Sequence, residues 1–222
     1  MNKRIATPLF LLAELVLYIL ILTTGGKVLV ASSYLSIVLC FVYGLLHVKE
    51  GNRLLIGGLF GTVMADWFLV VCSPIEQLWG MCFFLAAQTL YAVALYRQNP
   101  SKPLLIARGA VTVLAMVIAA MVLREKTDAL ALVSICYYAN LIMNIVTAFA
   151  RFRLNRMFAI ALVLFILCDT VIGLQMAAGV YLPIPEGSVL HRIIFMDFHL
   201  SWFFYLPSQV LIALCSGKGS CC

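Results

Sequence analysis

The sequence predicts an all-α polytopic membrane protein with eight transmembrane helices and both termini in the cytoplasm. Three observations lead there. Of the 222 residues, 64% are hydrophobic and only 11% charged, whereas soluble domains run at about 45–50% apolar and about 25% charged. A soluble fold of this size cannot hide that much apolar surface. The apolar residues also fall into runs of membrane-crossing length, and the basic residues favour every second connection between those runs.

The predicted helices cover 8–23, 28–48, 54–72, 77–96, 104–123, 129–149, 157–179 and 193–215. Each has roughly the 17–25 residues that a spanning helix needs, the first being the shortest. No small-residue cleavage site follows the first run, so it reads as a retained helix rather than a signal peptide. The connections are short, and the longest, around Tyr181–Gly187, is punctuated by Pro183 and Pro185. Residues 1–222 therefore form a single integral membrane domain with no separate soluble module.

Eleven Lys and Arg fall on the side of the N-terminus, including Lys49, Arg53, Arg108 and Arg151, and four, among them Lys27 and Arg192, on the other. That bias places both termini in the cytoplasm. The net charge of +6 is a topology signal, and no nucleic-acid motif accompanies it. The expected location is the cell membrane, or the endoplasmic reticulum membrane in a eukaryote. The eight cysteines form no C-x-x-C pair. Most lie in apolar runs, where a thiol behaves as a small hydrophobe, so neither a disulfide framework nor a zinc site is expected. Cys221-Cys222 at the tail offers thiols for acylation without a C-a-a-X pattern.

Two aspartates interrupt the apolar runs. Asp66 lies in Leu59–Leu69 and Asp169 in Phe165–Thr170. A carboxylate at that depth is costly and marks a functional site by default. Helices three and seven run in the same direction, and each aspartate lies about 12 residues in, or roughly 18 Å at 1.5 Å per residue. The two carboxyls are thus expected at one level, a little beyond the midplane toward the outside. Desolvated and mutually repelling, such a pair tends to divide into one protonated and one ionised member, a general acid and a general base.

Other polar residues recur at helical spacing. Helix one carries Glu14 and Tyr18, helix four Gln88 and Tyr91, helix six Ser134, Tyr137, Asn140 and Asn144, and helix eight Asp197, Ser201, Tyr205 and Gln209. Any one stripe is explained by helix–helix hydrogen bonding. Inward stripes on six helices point instead to a polar cavity within the membrane. His191, His199 and Asp197 have spacings that put them on different helical faces, so no metal is expected there. The chain has no G-x-S-x-G, H-E-x-x-H or P-loop.

These motifs resemble the YhhN-like membrane proteins, which include the lysoplasmalogenases. The resemblance rests on Leu59–Leu69 with Asp66, Phe165–Asp169, the helix-four residues Gly80, Phe83, Gln88 and Tyr91, the run Tyr138–Met143, and Tyr205 with Gln209. Lys27 matches a family lysine before helix two. Ala65 replaces the family glycine, Cys168 its serine and Gln88 its histidine, while both aspartates stay. The resemblance implies an ether-bond hydrolase that cleaves the vinyl ether of a lysophospholipid. Asp66 and Asp169 would be catalytic, and Gln88, Tyr91, Tyr138, Asn140, Tyr205 and Gln209 would hold the polar part of the substrate. Lys27 would meet the phosphate, and no metal or organic cofactor is called for. The competing expectation is a non-enzymatic lipid or small-solute transporter, proton-coupled through the same acids.

Overall fold

The computed structural model describes residues 3–98, 100–124, 128–178, 182–196 and 198–217. They form a helical bundle, with α1 over Lys3–Thr23, α2 over Gly26–Leu46 and α3 over Arg53–Asp66. A π-helical turn, Trp67–Val71, continues α3 without a break. Then come α4 over Gln77–Gln98, α5 over Lys102–Leu123, α6 over Ala129–Phe149, α7 over Phe152–Ala177, the short α8 over Val189–Ile194, and α9 over Leu200–Ser216. Among the described residues, seven helices are long and apolar enough to cross a membrane. This is the architecture of a polytopic membrane protein.

Several helix starts are set by side chains that accept an otherwise unpaired backbone N–H. Asn52 takes the N–H of Leu54 at 3.0 Å and Asp128 that of Ala131 at 2.7 Å. Ser188 does the same for His191 at 3.2 Å. The Asn52 N–H in turn donates to the Ser216 carbonyl at 2.9 Å. The end of α9 therefore sits beside the α2–α3 turn. That end of the bundle, where α1 begins, carries most of the Lys and Arg, and is called the basic end below.

The core is built where α3, α4, α7 and α9 meet, the pairs α7–α9 and α3–α4 packing most extensively. Small residues let α3 and α4 approach closely, as they do between membrane helices. A Cβ on Gly58 would lie 2.0 Å from Cε1 of Tyr91, and one on Gly61 would lie 3.0 Å from the Ala87 Cβ. α5 is peripheral: none of its described side chains is buried, and its one substantial neighbour is α6.

The structure departs from the expected boundaries at α1, which begins at Lys3 rather than residue 8, over 193–215 and at α7. The expected helix over 193–215 is divided into α8 and α9, with Asp197 and His199 in the stretch between them. Before α9, the His199 ring lies 3.1 Å from the Thr24 carbonyl, which fixes the approach of the chain to the α1–α2 loop. α9 itself has 17 residues, the lower end of what spans a bilayer. α7 begins at Phe152 rather than 157, with a bend at Asn155, whose φ of −125° is not helical. Arg108 belongs to no loop and lies inside α5. Asp197, part of the Tyr181–Gly187 loop and the Cys221-Cys222 tail fall outside the described residues.

Gly58→Ala should destabilise the protein by about 1–3 kcal/mol, as overpacking of a close contact does. Gly109→Ala, with nothing within 4 Å of its Cβ position, should not. Thermal unfolding of both variants in detergent tests the difference.

Candidate active site

Asp66 is the last residue of α3, at the point where the helix widens into the π-helical turn. In that turn the Cys72 N–H bonds to the Trp67 carbonyl five residues back, at 2.9 Å. Such π insertions are frequent at functional sites, because they re-aim the side chains that flank them. Gly80 makes room for the turn, since a Cβ there would lie 2.4 Å from Cγ of Leu69. Asp66 is only 3% exposed. Its Oδ2 accepts a hydrogen bond from the Tyr205 hydroxyl of α9 at 2.7 Å.

Asp169, in α7, is half-buried, and its Oδ2 accepts from the Tyr137 hydroxyl of α6. The two carboxylates are thus held alike, each by one tyrosine on one oxygen. Among the described residues, no side chain or backbone group bonds either Oδ1. A phenol is well suited to this work: its ring packs in the apolar bundle while its O–H meets the carboxylate. The two tyrosine rings are spaced by Phe84, whose centroid lies 5.8 Å from Tyr137 and 6.3 Å from Tyr205.

Both aspartates line one cavity of about 300 Å³, the lower end of the range for small-molecule sites. Phe84, Met81, Trp202 and Ile172 form much of its apolar wall, and Gln77, Ser134, Ser201 and Tyr205 add polar groups. Gln77 begins α4 and Ser201 lies in the first turn of α9, so the cavity occupies the half of the bundle away from the basic end. Beneath the carboxyls the bundle is filled by Phe165, Phe158, Leu162 and Leu59, all fully or almost fully buried.

The structure therefore brings together Asp66, Asp169 and Tyr205. The other residues expected at the site lie elsewhere. Gln88 is buried, and the Asn144 amide donates to its Oε1 at 2.8 Å. Tyr91 is fully buried beneath Gly58 and meets the Phe158 ring edge-on at 5.6 Å. Gln209 is fully buried one turn beyond Tyr205 on α9. The Tyr138 hydroxyl pairs with the Thr170 hydroxyl at 2.6 Å. Asn140 takes up Arg108 of α5 and donates to Thr89 at 3.3 Å. Lys27 is exposed in the first turn of α2, three residues from the Thr24 carbonyl that meets His199. Glu14 is buried in a separate place, accepting from Ser36 at 2.7 Å and from the Cys40 thiol at 3.4 Å. Among the described residues, no group of three His, Cys, Asp or Glu is arranged to hold a metal.

Sequence reasoning placed Tyr137 in a polar stripe but gave the site role to its neighbour Tyr138. Adjacent residues on a helix point about 100° apart, so only one of the two can face Asp169. Trp202, which packs on Tyr205 at 5.2 Å, was also missed. Its position near a helix end reads as an interface anchor, and no periodic signal separates that from a cavity wall.

An all-helical membrane bundle that sets two tyrosine-bound carboxyls on the wall of one intramembrane cavity defines a polytopic protein built around a paired-carboxylate site. The profile of the YhhN family matches residues 27–215, and the chain belongs to that family. No curated protein and no solved structure matches it.

Tyr137→Phe and Tyr205→Phe should each lower stability by roughly 1–3 kcal/mol, because each strips a carboxylate on the cavity wall of its donor. Tyr138→Phe leaves both carboxylates bonded and should cost less. Unfolding of the three variants in detergent tests the order.

Proposed function

We propose that the protein is a membrane-embedded hydrolase of the lysoplasmalogenase type, cleaving the vinyl ether of a lysoplasmalogen to a fatty aldehyde and a glycerophospho-base. The observation that carries this reading is that Asp66 and Asp169, from separate helices, line one cavity and keep one oxygen each clear of partners among the described residues. Membership of a family associated with this activity supports it.

The chemistry follows from a carboxyl pair in two protonation states. The protonated aspartate gives its proton to the alkene carbon remote from the ether oxygen. The oxocarbenium ion left behind is stabilised by the ionised partner, which also takes a proton from the attacking water. In the collapse of the resulting hemiacetal to aldehyde and alcohol, the first aspartate, now ionised, takes the hydroxyl proton and the second gives its proton to the departing alkoxide, so one water is consumed and both carboxyls return to their starting states. Paired carboxylates perform the equivalent steps at glycosidic bonds. Tyr137 and Tyr205 position the acids by occupying one oxygen of each, so that the other faces the substrate.

The apolar wall of Phe84, Met81, Trp202 and Ile172 suits the aliphatic end of the substrate. Its polar end would lie toward the bundle end where α2 begins, and there Lys27 could meet the phosphate. By the basic-residue bias that end is outside the cytoplasm. A transporter opens its site to each face in turn and is commonly built from two clear half-repeats. The chain shows no clear half-repeat, and its two carboxyls meet at one cavity rather than along a path, which favours hydrolysis over transport.

Purified protein in detergent, incubated with lysoplasmalogen, should release aldehyde detectable by mass spectrometry. Asp66→Asn and Asp169→Asn should abolish that release while remaining folded. Folded wild-type protein that leaves lysoplasmalogen and other vinyl-ether lipids intact would overturn the reading.

A further inference from the structure

A second cavity, of about 240 Å³, lies in the other half of the bundle, nearer the basic end. Its walls are Thr89, Ala92 and Val93 of α4 and Leu104, Leu105 and Arg108 of α5, with Asn140 and Thr147 of α6 as its floor. It exists because α5 packs substantially on α6 and not on α4, so the three helices leave a groove open to the lipid. Tyr96 and Ser101, at the adjoining ends of α4 and α5, form its rim.

Arg108 is the unusual member. It lies six residues into α5, or about 9 Å from the helix start, in a segment that faces hydrocarbon. Charged side chains at such depth are rare and mark sites where an ion or polar group is handled. Its head is not turned back toward the water. It reaches across to α6, where Nη1 donates to the carbonyl and side-chain oxygens of Asn140, and Nη2 donates to Asn144 Oδ1 at 2.9 Å. Asn144 is held in turn by Gln88 of α4, and Asn140 by Thr89.

All of these acceptors are neutral. Among the described residues, no carboxylate pairs with Arg108, so the guanidinium charge is uncompensated. A guanidinium has five N–H donors. The two asparagines take up the end of the fork formed by Nη1 and Nη2. The side of the fork, where Nε–H and the second Nη2–H run parallel, has no protein acceptor among the described residues. Two parallel donors with a positive charge match two oxygens of a phosphate.

We propose that this groove is a binding site for a membrane glycerophospholipid, whose phosphate is held by the side of the Arg108 fork. A phosphodiester carries the single negative charge that the site lacks. The apolar walls at Ala92, Val93, Leu104 and Leu105 take the start of an acyl chain, and Ser101 and Tyr96 lie where the headgroup leaves for water. Lipid is favoured over a free anion because the groove opens sideways between helices into hydrocarbon. This site lies apart from the carboxylate cavity and does not depend on the reaction proposed there. It also gives Asn140, Asn144 and Gln88 a role as the scaffold that orients Arg108.

The test counts phospholipid retained by the full-length protein. The protein is taken from phosphatidylcholine nanodiscs doped with phosphatidylglycerol into detergent, washed, and weighed by native mass spectrometry. Wild type should keep one phospholipid that Arg108→Gln retains roughly tenfold less well, the cost of losing a charge-assisted contact. Arg108→Lys should be intermediate. Ala92→Phe fills the groove while keeping Arg108 and its asparagine partners in the sequence and should also lose the lipid, so it decides the matter if Arg108→Gln does not fold. Excess inorganic phosphate in the wash should leave the lipid in place. Equal retention by wild type and Ala92→Phe, or displacement of the lipid by inorganic phosphate, would overturn the proposal.

Discussion

Everything in this bundle turns on the cost of holding a carboxylate where lipid surrounds the protein. An isolated charge there is expelled or neutralised unless it is bonded. Asp66 and Asp169 meet that cost by drawing a phenol each from α9 and α6. Those two bonds dictate which helices must neighbour which. α3 must meet α9, and α6 must meet α7, with Phe84 of α4 between the two tyrosines. The extensive α7–α9 and α3–α4 packing closes the ring. The glycines of α3 serve this arrangement, since without them α4 could not come close enough to place Phe84.

Two polar clusters of opposite sign stand out. One holds negative groups in the half away from the basic end. The other holds Arg108 with its asparagines in the half nearer that end, and carries the opposite sign. Phe158, Leu162, Phe165 and Leu59 fill the bundle beneath the carboxyls and are fully or almost fully buried. A bundle so divided can present different chemistry to its two halves, and each cluster can be altered without rearranging the other.

The helices were legible because hydrophobicity and length are nearly sufficient to define a spanning segment. The aspartates were legible as a pair, and both line one cavity, but the count of about 12 residues into each helix was not, since α7 starts at Phe152. What failed as well was azimuth. Tyr137 and Tyr138 are equally plausible by composition, and only the rotation of α6 about its axis decides that Tyr137 meets Asp169 and Tyr138 meets Thr170. The break between α8 and α9 was hidden because both flanks are apolar and the tie that fixes it, His199 to Thr24, joins residues 175 apart in sequence. Arg108 was read as a loop charge because an arginine near a span end usually serves topology. Its partners Asn140 and Asn144 read as a stripe on another helix, and Asn140 was assigned to the substrate instead.

The isolation of α5 has a consequence for how the chain is made. A helix that leaves the ribosome first has only lipid to touch until its neighbour follows. For α5 the neighbour is α6, and the acceptors for Arg108 are 32 and 36 residues further along. Until they emerge, the guanidinium has no protein acceptor from that helix, and insertion of α5 alone is opposed by its charge. Pairing with α6 therefore lowers the cost of holding Arg108 in the bilayer, with the arginine–asparagine contact fastening the two helices. Most of the remaining α5 surface answers only to the hydrocarbon around it, so its sequence is free to drift wherever it stays apolar, while Arg108 is not.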